Sequence, residues 1–484
     1  MFALNSDKDL VDKAIKNGDI YAAAAVYSIA NCEQREVLEG IMFAKRRDAL
    51  ALARWEHTPA EVLNALSIKN NSDVGIVLRL DKNQNTPALA ISTLYGLENG
   101  QVKRNTSFTV LIAQHRHTPI NVLEAIVKFV DDIEVLKAVS KNPVANAQVL
   151  GLLLNRVAHS SVYEAVAKNV AANPSASADL LSAIYSYADY SQADDCQAGS
   201  SLRVAVLKHE NCPQFLIRLA EFNVADAAIE IQRQLVKDSR LSLQALASLV
   251  ASQDKVLRTG LAANLAAPKM LIKQLLKDES PLVRRAVAAR ADLTVSSIKY
   301  LISDKDHWVR QWLARNPAVS RKVLEKLSAD PHADVRRAVA RNSRCTNALL
   351  SELAKDEDAW VRAAVAYQKN ATKRLLEALA EDADIDVLSG VANNPHTPQR
   401  ILLKLISSLE ADIRRGVILN RKAQRKTLLS LLEDSYYLHR LMLVNSTVLK
   451  DSDKWPLCDD PDFQVRFTAY QYFAKKYQTF TKNI

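Results

Sequence analysis

The 484-residue chain carries nine histidines, five cysteines and 54 carboxylates, the side chains that could hold a metal or run acid–base and nucleophilic chemistry. Their spacing in the sequence supports none of it. Cys32, Cys196, Cys212, Cys345 and Cys458 lie too far apart for a Cys-x-x-Cys metal or redox pair. His209-Glu210 lacks the second histidine of a zinc-protease helix. His57, His117 and His396 each precede a Thr-Pro and read as junction residues. No Gly-x-Ser-x-Gly elbow, Walker loop or dinucleotide fingerprint occurs. Only 10 glycines are present, where average usage would give roughly 34. The expectation is a protein without catalytic residues, metal ligands or cofactor.

The chemistry that remains is charge. Lys+Arg is 64 against Asp+Glu 54, a net of +10. Residues 1–200 hold 19 basic and 22 acidic side chains, and residues 201–484 hold 45 and 32, so the excess lies in the second part. A basic portion suits acidic partners: nucleic acid, an acidic protein or an anionic surface. Two columns recur in register. Arg258, Arg284, Arg310, Arg336, Arg362, Arg414 and Arg466 form one; Asp226, Asp278, Asp304, Asp330, Asp356, Asp382 and Asp460 form the other. One pair per unit predicts a structural ladder. A further set, Arg285, Arg315, Arg337, Arg341, Arg344, Arg415, Arg421, Lys422, Arg425 and Lys426, is a candidate basic stripe able to track phosphates. It reads equally as solvated charge. Trp308, Trp312 and Trp360 lie among these units, as stacking groups or as core.

What positions these columns is an internal repeat. The valine of a Val-Arg pair recurs every 26 residues at Val283, Val309, Val335 and Val361, then at Val387 and Ile413, and backward at Leu257 and Ile231. Toward the C-terminus the expected copies are Leu438 and Val465; toward the N-terminus they are Val74, Phe108, Val135, Val166 and Leu202, with a first copy near Asp48. Counting from the valine as zero, positions 0 and +4 share a helical face, and position +5 is a small alanine in five consecutive units from Ala288 to Ala392. Positions +2 and +6 are expected to face solvent. Leucines at +15 and +18 form a second stripe, so each unit is two short helices. Asn-Pro is expected to end the first helix and Thr-Pro to cap the second, with Glu61 completing a capping box after Thr58. No such pair buries its own apolar face, so the units must stack. The predicted fold is an all-α solenoid of about sixteen repeats.

Segments such as Asp330-Pro-His-Ala-Asp-Val-Arg-Arg-Ala-Val-Ala-Arg-Asn342 resemble the leucine-rich repeat variant (LRV) motif and are similar to HEAT-type repeats. The resemblance is strongest over residues 226–432. It implies an α-helix paired with a short α or 3₁₀ helix in each repeat, wound into a right-handed superhelix. An Arg–Asp ladder between repeats is part of it. The iron–sulfur centre known in one LRV type needs a cysteine cluster, and only Cys32 stands near this N-terminus.

The domain expectation is N-terminal capping helices over 1–45, with Ser6 and Asp9 opening the first and Gly18 closing it. Irregular repeats follow over 46–201, regular repeats over 202–435, and aromatic-rich C-terminal repeats with a cap over 436–484. Two insertions, near 95–107 and 184–201, stretch the period and are expected as loops. No 18-residue apolar run and no signal-peptide pattern occur, which points to a cytoplasmic location. The expected function is a non-catalytic scaffold recognising a protein partner; the alternative is a nucleic-acid-binding solenoid using the basic stripe of 258–426.

Overall fold

The computed structural model describes residues 7–96, 106–190, 196–222 and 227–481. Every regular element among them is a helix. The chain forms two compact units, one of Met1–Ile217 with Trp455–Ile484 and one of Arg218–Lys454. Each is an α-solenoid in which consecutive first helices pack against one another.

In the Arg218–Lys454 unit, first helices of seven to nine residues, such as Pro281–Ala288, His307–Arg315, Ala333–Arg341 and Ala359–Ala366, alternate with shorter ones such as Arg321–Leu327 and Asn347–Leu353. The shorter helices are α-helical; among the described residues 3₁₀ turns occur at Tyr27–Ile29 and Trp455–Asp459. The zero, +4 and +5 residues, for example Val309, Leu313 and Ala314, are fully buried. So are most of the second-helix leucines, Ile298 being half-exposed. Burying each such aliphatic side chain is worth about 1.5–3 kcal/mol.

The Arg–Asp ladder is present. Arg310 donates through Nε and Nη2 to Asp330 of the next repeat at 2.6 and 2.9 Å, while its Nη1 donates back to the Asp304 carbonyl at 2.7 Å. Arg258–Asp278, Arg284–Asp304, Arg336–Asp356, Arg362–Asp382 and Arg414–Asp434 repeat the fork. Where the arginine is replaced, the aspartate twenty residues on is replaced too: Leu388 with Ser408, Gln232 with Ser252.

A second ladder runs at position +7. Asn316 Nδ2 donates to the carbonyls of Ala288 and Arg290 in the preceding repeat; Asn342, Asn394 and Asn420 each do the same to the repeat before them. Gln368, Arg290 and, in the other unit, His115 and His209 stand in for asparagine by reaching the same class of carbonyl. The asparagine of Asn-Pro therefore ties repeats together as well as ending a helix.

The junction threonines differ from expectation. Thr58, Thr86, Thr118 and Thr397 are buried, and each hydroxyl donates to a carbonyl six residues back in the first helix. The following proline is the N-cap, and Thr58 and Glu61 form no capping box. Threonine caps the second helix where no proline follows, as at Thr346 and Thr372.

Two register positions also move. Val74 is exposed, while Ile76 and Leu80 carry the buried stripe, so the zero position there is Ile76. In the C-terminal part the 26-residue step holds through His439, fully buried where other units have valine, and Leu438 is its half-buried neighbour.

In the unit containing both chain ends, Gly18 has φ +66° and its amide reaches the carbonyls of Ala14 and Ile15, ending the helix Asp7–Asn17. Ser6 lies outside the described residues. The helices Asp7–Asn17 and Ile20–Val26 pack against the C-terminal helix Phe463–Thr481. Tyr21 meets Phe463 at 4.3 Å between ring centroids, and Trp55 meets Phe467 at 4.5 Å. Arg466 donates to Asp19 Oδ2 at 2.9 Å, and Asp19 Oδ1 accepts from the Tyr21 amide two residues on. That is the pattern of every ladder aspartate. Asp19 thus takes the place of the aspartate that a further repeat would supply.

Candidate binding surface

The solvent face of the first helices is set by packing. Each first helix in the array touches the one before and the one after, so three of its sides are covered. Gly390 and Gly416 show how tightly: a Cβ on either would lie 2.7 Å from Ala366 or Ala392 Cβ. What remains open is the row −1 and +6, which falls on one side of a helix; +3 between them is buried at Ala338, Ala364, Gly390 and Gly416, and Trp312 is the exposed residue there. Position +2 points into the seam. Gln311 and Ala363 there are buried, Arg285 and Arg337 are half-buried, and only Arg415 is exposed. The expectation that +2 faces water holds for that one residue, because a helix flanked on both sides keeps a narrower wet face than a helix packed on one side.

The open row is aromatic and apolar in part, with Asp334, Asp386 and Asp412 at −1 in other units. Val256, Leu282, Trp308 and Trp360 occupy −1 in four units, and Trp308, Trp312 and Trp360 are 40%, 40% and 55% exposed. The three tryptophans are surface groups, not core. Tyr367 and Leu419 add apolar surface at +6. Arginines lie on the rings: the Arg285 guanidinium carbon is 5.5 Å from the Trp308 centroid, and that of Arg315 is 5.7 Å from Trp312. Such contacts hold a cation and a ring in a fixed relation.

The nominated cations divide into groups. Arg315, Arg337 and Arg341 come together on adjacent helices. Burial, then repulsion from Arg337 and Arg315, pulls Arg341 below the ordinary guanidinium range; it still reaches solvent and stays charged. Arg337 is paired with Asp334 at 2.5 Å and Arg285 with Asp306 at 3.4 Å. Among the described residues Arg315 and Arg341 have no acidic partner. Arg344 donates to the Val319 carbonyl at 3.4 Å. Arg415 pairs with Asp412 at 2.9 Å and stands apart from the arginine trio, across the units of Tyr367 and of Ser389 and Asn393. Arg425 is locked in a fork with Asp453, while Arg421, Lys422 and Lys426 are exposed on the adjoining turn and helix start. The ten cations are therefore two clusters and an intermediate Arg415 rather than one unbroken stripe. Parts of both insertions, 97–105 and 191–195, lie outside the described residues; of the stretch 184–201 expected as a loop, 184–190 and 196–201 are instead helical, within Ala178–Tyr190 and Cys196–Lys208.

The sequence spacing of histidines missed one cluster. His307, His332 and Asp334 have ligand atoms within 4.8 Å of one another, brought together from adjacent repeats. The signal was positional: each histidine is the only one in its repeat column over 229–419.

No family model and no curated protein matches the chain. Among solved structures, a crystal structure of a Kap121p mutant is similar at 12% identity and a TM-score of 0.21, covering 98% of this chain and 55% of that one. This chain thus spans about half the length of that structure's chain. The fold assignment stands on the helices described above. Among the described residues no helix is long and apolar enough to cross a membrane.

Proposed function

We propose that this chain is a non-catalytic binding scaffold, built of LRV- or HEAT-like repeats, that recognises a protein partner through the −1/+6 face of its regular array, with Trp312 beside it. The observation that carries the reading is the row of exposed tryptophans, Trp308, Trp312 and Trp360, with arginines laid on two of them. Aromatic and arginine side chains held in place by a rigid scaffold are the residue types that dominate protein interfaces. The unpaired Arg315 and Arg341 favour a partner that brings carboxylates beside its apolar anchors. The free thiols Cys32, Cys345 and Cys458 support a reducing, cytoplasmic location.

The test is affinity capture from the native host, comparing wild type with Trp308→Ala/Trp360→Ala and with Arg315→Glu/Arg341→Glu. Both variants change exposed positions and should fold. A partner retained by wild type and lost by both supports the reading; equal capture by all three sinks it.

A second reading rests on the same unpaired arginines. Arginines beside exposed rings also suit single-stranded nucleic acid, where bases stack and phosphates pair. Anisotropy with mixed DNA and RNA at two salt concentrations separates the two. Salt-sensitive binding lost in Arg315→Glu/Arg341→Glu favours nucleic acid; no binding at low salt removes it.

A further inference from the structure

The array is its own reference for what each position normally does. The residue three before the buried valine is the N-cap of the first helix. Asp254, Asp306, Asp358 and Asp384 hold this place, and each accepts a hydrogen bond from the valine-position amide. His332 holds it in the unit between Asp306 and Asp358, and its side chain makes no capping bond. Its Nδ1 is shielded from solvent without a hydrogen-bond partner, 3.5 Å from Asp334 Oδ2. The ring lies flat on that of His307 from the preceding repeat, centroids 3.7 Å apart and planes within 9°. His307 is in turn the only histidine at its column, where other units have Lys255, Pro281, Ala333, Ala359, Ile385 and Ala411. Ser280 and Glu410 at the same place also make no capping bond; what sets His332 apart is that two adjacent repeats bring histidines to the same point in space.

The geometry points to a divalent transition-metal site formed by His307, His332 and Asp334. Two imidazole nitrogens and one carboxylate oxygen within 4.8 Å are a zinc-type donor set. Imidazole nitrogen selects zinc, nickel or copper over magnesium and calcium, which prefer an all-oxygen shell. Donors on a tetrahedral zinc lie about 3.3 Å apart, from zinc–ligand distances near 2 Å. The three ligand atoms therefore close by modest side-chain rotation, the rings leaving their stack to present edges to one ion. Asp334 is already oriented: Arg337 takes Oδ1 at 2.5 Å and leaves Oδ2 toward His332. That is the outer-shell arrangement that fixes a metal carboxylate, and the arginine's charge keeps the site weaker than a closed structural one. Three protein ligands leave a position for water or for a group from a bound partner.

The site borders the tryptophan surface, His307 lying 5.1 Å from Trp308 between ring centroids, and it is tested on the full chain by metal binding, a readout separate from partner capture. Chelator-stripped protein is titrated with zinc alone by calorimetry, alongside His332→Asp and His307→Ala. His332→Asp installs the residue that caps the flanking repeats, so it should fold at least as well as wild type while removing a nitrogen ligand. Wild type is expected to take one zinc that a chelator removes, with affinity at least about tenfold weaker in each variant. A rise in melting temperature with zinc should appear in wild type and vanish in His332→Asp. The proposal is overturned if wild type binds no zinc at millimolar concentration, or if both variants bind as wild type does, which would place any ion elsewhere, such as at the exposed Cys32.

Discussion

At the scale of single residues, the array is held by side chains that satisfy a neighbour's backbone. Asn342 Nδ2 closes the Ala314 and Asn316 carbonyls from a buried position. Asn342→Ala removes this donor from the buried Ala314 carbonyl and leaves the Asn316 carbonyl only the Val319 amide, and should cost about 1–3 kcal/mol, read by urea unfolding; a loss below a few tenths would remove the asparagine ladder as a stabilising element. Asp434 gives a pH prediction. Burial alone would raise it, but Arg414, the Tyr436 amide and His439 outweigh that and bring it down to about 2. A carboxylate with a depressed folded pKa stabilises above its unfolded value near 4 and loses that contribution as pH falls toward 2. Asp304, Asp330, Asp356 and Asp382 are depressed in the same direction. The melting temperature should therefore fall steeply between pH 4 and 2, and the Asp434→Asn protein should show a shallower fall from a lower start. Parallel curves for the two proteins would contradict it.

At the scale of elements, stability depends on how closely first helices approach. Gly416→Ala would gain helix propensity worth about 1 kcal/mol. The added Cβ, however, would sit 2.7 Å from Ala392 Cβ, an atom fixed to backbone, so a helix must shift. Overpacking of this kind costs about 1–3 kcal/mol, and the substitution should be net destabilising in a denaturation series; a more stable protein would show that the seam yields. This scale also separates what was legible in the sequence from what was not. The Arg–Asp ladder could be read in advance because both partners are side chains at fixed spacing. The asparagine ladder could not, since its acceptors are carbonyls that leave no mark on residue type. Val74 misled because a valine lies two residues ahead of the buried Ile76, and Leu438 because a histidine fills the buried position beside it. The wet face was misplaced by one helical column, as wheel arguments assume one packed side and these helices have two packed neighbours. His307 and His332 stand 25 residues apart, beyond any motif confined to one helix.

At the scale of the whole molecule, the two chain ends belong to one unit, joined by Arg466–Asp19, by Lys13–Asp459 at 2.7 Å and by Gln478–Ser28 at 3.0 Å. Arg466→Ala is expected to raise amide hydrogen exchange in Ile20–Val26 and Phe463–Thr481 while leaving Pro281–Ala366 unchanged, measured by mass spectrometry. Equal protection in both proteins would mean that the aromatic cluster of Tyr21, Trp55, Phe463 and Phe467 alone holds the ends. Asp19 also bears on how such a molecule can grow. Repeat proteins lengthen when a unit is copied beside its parent, and a copy placed after the last arginine would need the carboxylate slot that the N-terminal segment already fills. Lengthening at that point must evict the first helices, whereas a unit copied within Lys255–Ala366 brings one arginine and one aspartate of its own, so that the forks on both sides of it are completed again.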